Sequence, residues 1–303
     1  MLRRLLNNLA GQTEALKEHI IVDAEDGAES REISISYRNT KIIPGPDRNS
    51  HHAMNKGIAA ATGDIIGFIN TDDSLYPGAL ALVQEHFARN PGCMMLRIGC
   101  HLAPFGTHAG AEPLQLLYPG ASVALLPLLL FGTPGFNTWF FRRDFLLRHG
   151  SLPDGGVFDE RYVVAADRDL LLRLYLAGFR PEYLPQAIYV YGLHDESATL
   201  DAAGRGAEAI LQEHRAIATH LLGHAGASAA ALAAWHARET LILARIYWRS
   251  GRRSDALALL AGAWLSAPAF PLRLLRARDL RRSLIAALAW TLGEGGISVP
   301  RAF

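Results

Sequence analysis

Asp64-Ile65-Ile66-Gly67-Phe68-Ile69-Asn70-Thr71-Asp72-Asp73 is the stretch on which the fold turns. Its β-branched and aromatic residues follow the stop Thr62-Gly63 and run into a polar turn. That reads as a central, buried strand. The strand delivers two adjacent carboxylates, Asp72 and Asp73. Oxygen ligands at the edge of a sheet suit Mg2+ or Mn2+, and the remaining coordination positions suit a diphosphate. Asp is also common in turns for local reasons. The pair therefore gains its meaning from what surrounds it.

Outward from this strand, the first half of the chain alternates strands and helices. A helix over residues 2–17 leads to His19-Ile20-Ile21-Val22-Asp23, a short apolar strand ending in an acid. Further strands are expected at 33–36 and 41–43, and a helix from about 50 to 61, stopped by Thr62-Gly63. After the Asp pair, Pro77 opens a helix to about 89, and 93–100 is another strand. This order argues an α/β sheet with ligands at the carboxyl ends of its strands. After about residue 203, Ala, Leu and Arg dominate at helical spacing and strand signals vanish. The expected domains are thus 1–203, α/β, and 204–303, all helical. Ala244, Tyr247, Gly251, Ala256, Leu260, Ala263 and Pro268 carry the spacing of one tetratricopeptide hairpin. One unit is not an array, and a plain helical hairpin is the simpler reading.

Composition narrows the function classes. Half of the 303 residues are hydrophobic, and 30 basic residues against 29 acidic leave a net charge of +1. No global field points to nucleic acid. Only Lys17, Lys41 and Lys56 are lysines; the arginine excess reads as genome bias. Cys93 and Cys100 share one apolar segment and could staple little, so a reducing cytoplasm is expected. The uncharged run 113–141 is long enough to span a membrane, but Pro119, Pro127 and Pro134 interrupt it. There is no P-loop, zinc-spaced Cys/His set or nucleophile elbow.

The run from Met54-Asn55-Lys56-Gly57 through Thr62-Gly63-Asp64 to Asp72-Asp73 closely resembles the nucleotide-sugar core of family 2 glycosyltransferases. Phe158-Asp159-Glu160 followed by Ala165-Ala166-Asp167-Arg168-Asp169 resembles the same family's catalytic-base block. Tyr191 to Thr199, with His194, resembles its closing segment, and Ile20 to Asp23 its base-recognising strand. The resemblance covers about residues 2–200. It implies a GT-A-like fold, a Rossmann-like mixed sheet flanked by helices, with an all-helical extension. It implies a metal-dependent, inverting transfer from a nucleotide-diphospho-sugar to a hydroxyl on a glycan or lipid-linked precursor. The implied roles are Asp73 and His194 on the cation, Asp167 as base, and Asp23, Asn55, Lys56, Gly57 and Asp72 on the donor. Asp167 could instead cap the helix before Leu170. Asp169 and Arg173, four residues apart, are expected to pair and order that helix. The implied setting is bacterial cell-surface polysaccharide synthesis, in the cytoplasm or peripherally at the inner membrane face.

Two departures keep a rival open. The chain begins inside the family's first helix, so the family's opening strand is expected to be missing. His51-His52 also stands where this branch usually has Tyr-Asp. A non-catalytic or degenerate binding or scaffold protein would fit both departures. Paired His on a helix point apart, which argues against a metal site there.

Overall fold

The computed structural model describes residues 1–12, 15–25, 32–33, 36–37, 39–105, 115–118, 125, 129, 135–193, 205–224 and 229–266. The chain forms two compact units. One joins Met1–Val123 to Pro134–Asp195, and the other joins Ala124–Thr133 to Glu196–Phe303.

In the first unit, α1 (Leu2–Ala10) buries Leu5, Leu6 and Leu9 on one stripe. It ends at Gly11, earlier than the expected residue 17. Parallel strands β1 (His19–Asp23) and β2 (Thr40–Pro44) form a two-stranded sheet of their own. The expected strand at 33–36 is not one. Glu32, Ile33 and Ser36 are helical, Tyr37 N donates to Ile33 O, and Ser36 Oγ donates to Glu32 O. Ile33 is buried there, and residues 34 and 35 lie outside the described ones. Helix α2 (Ser50–Ala60) starts at Asn49, whose side chain accepts from His52 N at 2.9 Å.

The remaining strands make one mixed sheet: β3 (Ile65–Gly67), β4 (Ser74–Leu75), β5 (Met95–Pro104), β6 (Gln115–Tyr118), β7 (Trp139–Arg142) and β8 (Glu182–Leu193). Their order is β3-β7-β5-β8-β4, with β6 also on β5. Only β5 and β8 run parallel here; the other pairs are antiparallel. Helix α3 (Ala79–Arg89) lies between β4 and β5 in sequence, and α4 (Ala166–Leu176) precedes β8. Strand β7 is aromatic and buried through Trp139, Phe140 and Phe141. Gly67 of β3 faces it so closely that a Cβ would stand 2.5 Å from the Phe140 ring.

Strand β4 is the sheet's last strand, and α1 closes it with amides. Asn8 Nδ2 donates to Leu75 O at 2.9 Å and Asn8 Oδ1 accepts from Leu75 N at 2.8 Å. One turn on, Gln12 Nε2 donates to Tyr76 O at 2.7 Å. Side chains here make the bonds that a further strand would make.

The second unit holds α5 (Arg205–His224), α6 (Ala229–Arg249) and α7 (Arg253–Ser266). Leu211, Leu243, Ala244, Tyr247 and Ala256 form its core. Gly251 turns α6 into α7 at φ +81°, a left-handed conformation that favours glycine. Among the described residues, no helix is long and apolar enough to cross a membrane.

Candidate active site

The turn after β3 carries the Asp pair, with Asp73 N donating to Asn70 O. The two carboxylates differ sharply in setting. Asp73 is 2% exposed. Its Oδ1 accepts from Gly192 N at 2.9 Å, and its Oδ2 accepts from the Tyr189 hydroxyl and from Asn137 Nδ2 at 3.3 Å. Burial pushes its carboxyl up to about 6, against the pull of those donors and with the Asp72 charge adding to the rise. Asp72 is half-buried beside it. Gly192 approaches the turn so closely that a Cβ would lie 2.3 Å from Asp72 O.

The cation role expected of Asp73 falls on a carboxylate that already has three protein donors. A carboxylate turned into the protein and engaged by three donors orders the turn. The hard oxygen donor nearer the surface is Asp72, and a divalent cation fits its chemistry. His194 lies outside the described residues.

Asp167 sits in the first turn of α4, where N-terminal dipoles favour an anion. The helix starts from Ala165, without a side-chain cap, so Asp167 is not the cap. It is half-buried, and its Oδ1 accepts from Arg168 N at 2.6 Å. Burial raises its carboxyl above the ordinary value, opposed by the charges of Arg168 and His51. His51 is buried, with its ring 5.5 Å from that of Phe158. His52 points elsewhere, to Asp47 at 3.0 Å. The departure at these two positions therefore puts one histidine of α2 beside the candidate base and turns the other toward Asp47, ahead of the helix.

Aromatic contacts connect the two carboxylate sites. Asn137, on Asp73, follows Phe136. That ring lies 5.0 Å from Phe68 and 5.3 Å from Phe158, which is itself against His51. Phe68 lies just past β3, in the segment leading to the Asp pair.

The other expected donor-binding residues hold the protein together. Asn55 uses its whole amide: Oδ1 accepts from Val157 N (3.0 Å) and Phe158 N (2.9 Å), and Nδ2 donates to Phe158 O (2.9 Å) and Glu160 Oε1 (3.0 Å). Lys56 Nζ donates to Asp47 Oδ1 (2.8 Å), Gly45 O (3.2 Å) and Pro46 O (3.3 Å). A Cβ on Gly57 would make an ordinary contact with Val22. Asn55 and Lys56 fasten α2 to its surroundings. Asp23, half-buried at the carboxyl end of β1, accepts from Glu25 N at 3.1 Å. Asp169 and Arg173 pair as expected, at 2.8 Å, and Arg173 also donates to Gly150 O and Val157 O. Tyr189, Gly192 and Asn137 carry no motif, so no signal in the sequence identifies them as partners of Asp73.

The model of glycosyl transferase family 2 matches residues 1–146. The O-antigen biosynthesis protein RfbC of Myxococcus xanthus is 26% identical over 213 residues, which is 68% of this chain and 15% of that protein. The chain thus spans a small part of this relative's length. Among solved structures, S. aureus TarS 1-349 in complex with UDP-GlcNAc is similar with a TM-score of 0.57 and 18% identity, over 96% of this chain and 88% of that one. The mannosyltransferase PcManGT from Pyrobaculum calidifontis, in complex with GDP-Man and Mn2+, gives 0.52 and 20%, over 97% and 84%. These likenesses show a GT-A glycosyltransferase fold.

Proposed function

We propose, for a chain whose residues 1–146 belong to glycosyl transferase family 2, the transfer of a sugar from a nucleotide-diphospho-sugar to a hydroxyl acceptor. The acceptor is a glycan or a lipid-linked precursor in cell-surface polysaccharide synthesis, met in the cytoplasm or at the inner membrane face. The observation that carries this reading is the division of labour in the Asp pair. Asp73 is pinned by Tyr189, Gly192 and Asn137, and Asp72 is thereby held at the end of β3.

Asp72 is the residue that would hold Mg2+ or Mn2+. A cation bound there supplies charge neutralisation for the departing nucleoside diphosphate. Asp167 takes the proton of the acceptor hydroxyl as its oxygen attacks the anomeric carbon, and the configuration inverts. Its raised carboxyl suits that work, because a stronger base accepts the proton more readily. Asp23 supports recognition of the nucleotide base from the end of β1.

A second reading has one observation in its favour. The β1–β2 pair that carries Asp23 forms a sheet separate from the one that leads to Asp72. A binding module that keeps the fold without turnover would tolerate this separation. A screen of UDP- and GDP-sugars for nucleotide release, with and without Mn2+, decides between the two. Release with any donor supports transfer or donor hydrolysis at this site. Tight donor binding without release from any donor–acceptor mixture supports the binding module.

A further inference from the structure

Far from the Asp pair, three side chains of different chemistry meet. His86 lies in the last turn of α3, Cys93 in the link to β5, and Glu182 opens β8. One ligand atom from each lies within 4.8 Å of the others, and His86 Nε2 is 2.9 Å from Glu182 Oε2. Strand β8 runs on from Glu182 to Gly192. At about 3.3 Å per residue that is roughly 30 Å, so the cluster and the Asp72 turn occupy opposite ends of the strand.

We propose that His86, Cys93 and Glu182 form a second, structural metal site that takes Zn2+. The ligand set selects the ion. Sulfur, imidazole nitrogen and carboxylate oxygen together are a zinc set, whereas Mg2+ and Ca2+ prefer oxygen alone. A tetrahedral Zn2+ with bonds of about 2.0–2.3 Å sets its ligand atoms roughly 3.3–3.7 Å apart. The cluster needs only small rotamer adjustments to reach that spacing. One thiolate and one carboxylate balance the dication.

The surroundings fit a fixed site. Arg142 Nε donates to Cys93 O at 2.8 Å and its Nη2 to Phe87 O at 2.9 Å, which holds the backbone beside two of the ligands. Burial and the Glu182 charge push the Cys93 thiol up to about 11, with the Arg142 guanidinium opposing the rise, so it is the metal that displaces the thiol proton. Cys93 is 1% exposed, and its thiol donates to Met95 O. The Glu182 side chain is 44% exposed, so the ion has a way in and a fourth position for water.

Binding is balanced in atoms and charge. The Cys93 S–H proton leaves to solvent as the Zn–S bond forms. His86 offers the lone pair of Nε2, with its ring proton on Nδ1, and gives up its hydrogen bond to Glu182. The ion then ties the end of α3 to the starts of β5 and β8.

The test uses the full chain carrying Asp72→Asn, which removes the other candidate cation site. Chelator-treated protein is titrated with ZnCl2 and, separately, with CoCl2. The expected result is one zinc per chain retained on dialysis, a higher melting temperature with zinc, and a cobalt–thiolate charge-transfer band in the near ultraviolet. Adding His86→Gln should weaken zinc binding by at least about 100-fold, the upper end of the cost of losing even an outer-shell partner. Cys93→Ser should abolish the cobalt band. Absence of the band in the otherwise intact chain overturns the site, even if Cys93→Ser fails to fold. Unchanged zinc affinity in His86→Gln and Glu182→Gln overturns it too. Loss of sugar transfer in Asp72→Asn has no bearing on this outcome, so the two readings fail separately.

Discussion

The backbone N–H of Gly192 donates to Asp73 Oδ1 at 2.9 Å, across 119 residues of sequence. With the Tyr189 hydroxyl on the other oxygen, it welds the carboxylate turn to β8. Asp73→Ala would strip two buried donors, Tyr189 Oη and Gly192 N, and the half-buried Asn137 amide of their acceptor, and each buried orphan costs about 1–3 kcal/mol. A loss of at least about 2 kcal/mol in a urea melt is expected. Asp72→Ala should melt nearly like the parent and lose Mn2+-dependent nucleotide-sugar binding in calorimetry. The reverse pattern, a stable Asp73→Ala that no longer needs Mn2+, would return the cation to Asp73.

Gly192→Ala tests the close approach. The new Cβ would meet Asp72 O at 2.3 Å, a backbone atom that cannot rotate away. The turn must move, at a cost of about 1–3 kcal/mol for overpacking. Donor affinity should fall along with stability. An alanine variant with parental donor affinity and melting temperature would show the turn to be pliant.

Asn55 is expected to matter for folding rather than for donor contact. Asn55→Asp is the telling variant, because it keeps the size but loses both donors. Its new oxygen would face Phe158 O and the Glu160 carboxylate, at what are now 2.9 and 3.0 Å. Asn55→Asp should cost at least about 2 kcal/mol and be no milder than Asn55→Ala. A stable Asn55→Asp with weakened donor binding would restore the substrate-binding role.

Asp159 sets an acid limit. Its carboxylate takes both the Nε and an Nη of Arg161, at 2.9 and 2.6 Å, and Arg161 holds the carboxyl below its ordinary value of 3.8. A depressed acid stabilises the fold above its unfolded value, and that contribution is lost as pH falls through the folded one. Melting temperature should therefore drop as pH falls below about 4, more steeply than for Asp159→Asn. Parallel profiles for the two proteins would remove Asp159 from the acid response.

The parts of the site that were legible in the sequence are those set by local pattern. The run from Asp64 to Ile69 marks a strand by its stop signal and apolar content, and the turn with two acids follows it. The strand is only Ile65–Gly67, however, and stands at one end of the sheet's order rather than at its buried centre, because its pairing is set by the distant β7. Which acid faces inward was not legible, because Tyr189, Gly192 and Asn137 decide it from distant elements. The same limit applies to the partners of Asn55 and Lys56. A polar side chain on a helix looks identical in sequence whether it meets a ligand or the backbone of 157–160. The Ile-Ser alternation at 33–36 failed differently, since a two-residue period over so short a span also fits a helical turn with one buried face.

The amides of Asn8 and Gln12 have a consequence for the protein in crowded solution. A sheet whose last strand shows bare N–H and C=O groups can recruit a strand from a neighbouring molecule and grow into an aggregate. Here Leu75 and Tyr76 already have their partners, Asn8 on α1 and Gln12 just past its end. One residue inserted in α1 between Leu6 and Asn8 would swing Asn8 by about 100° relative to the buried Leu5 and Leu6 and reopen that border. The phase of the first helix thus guards the protein's solubility.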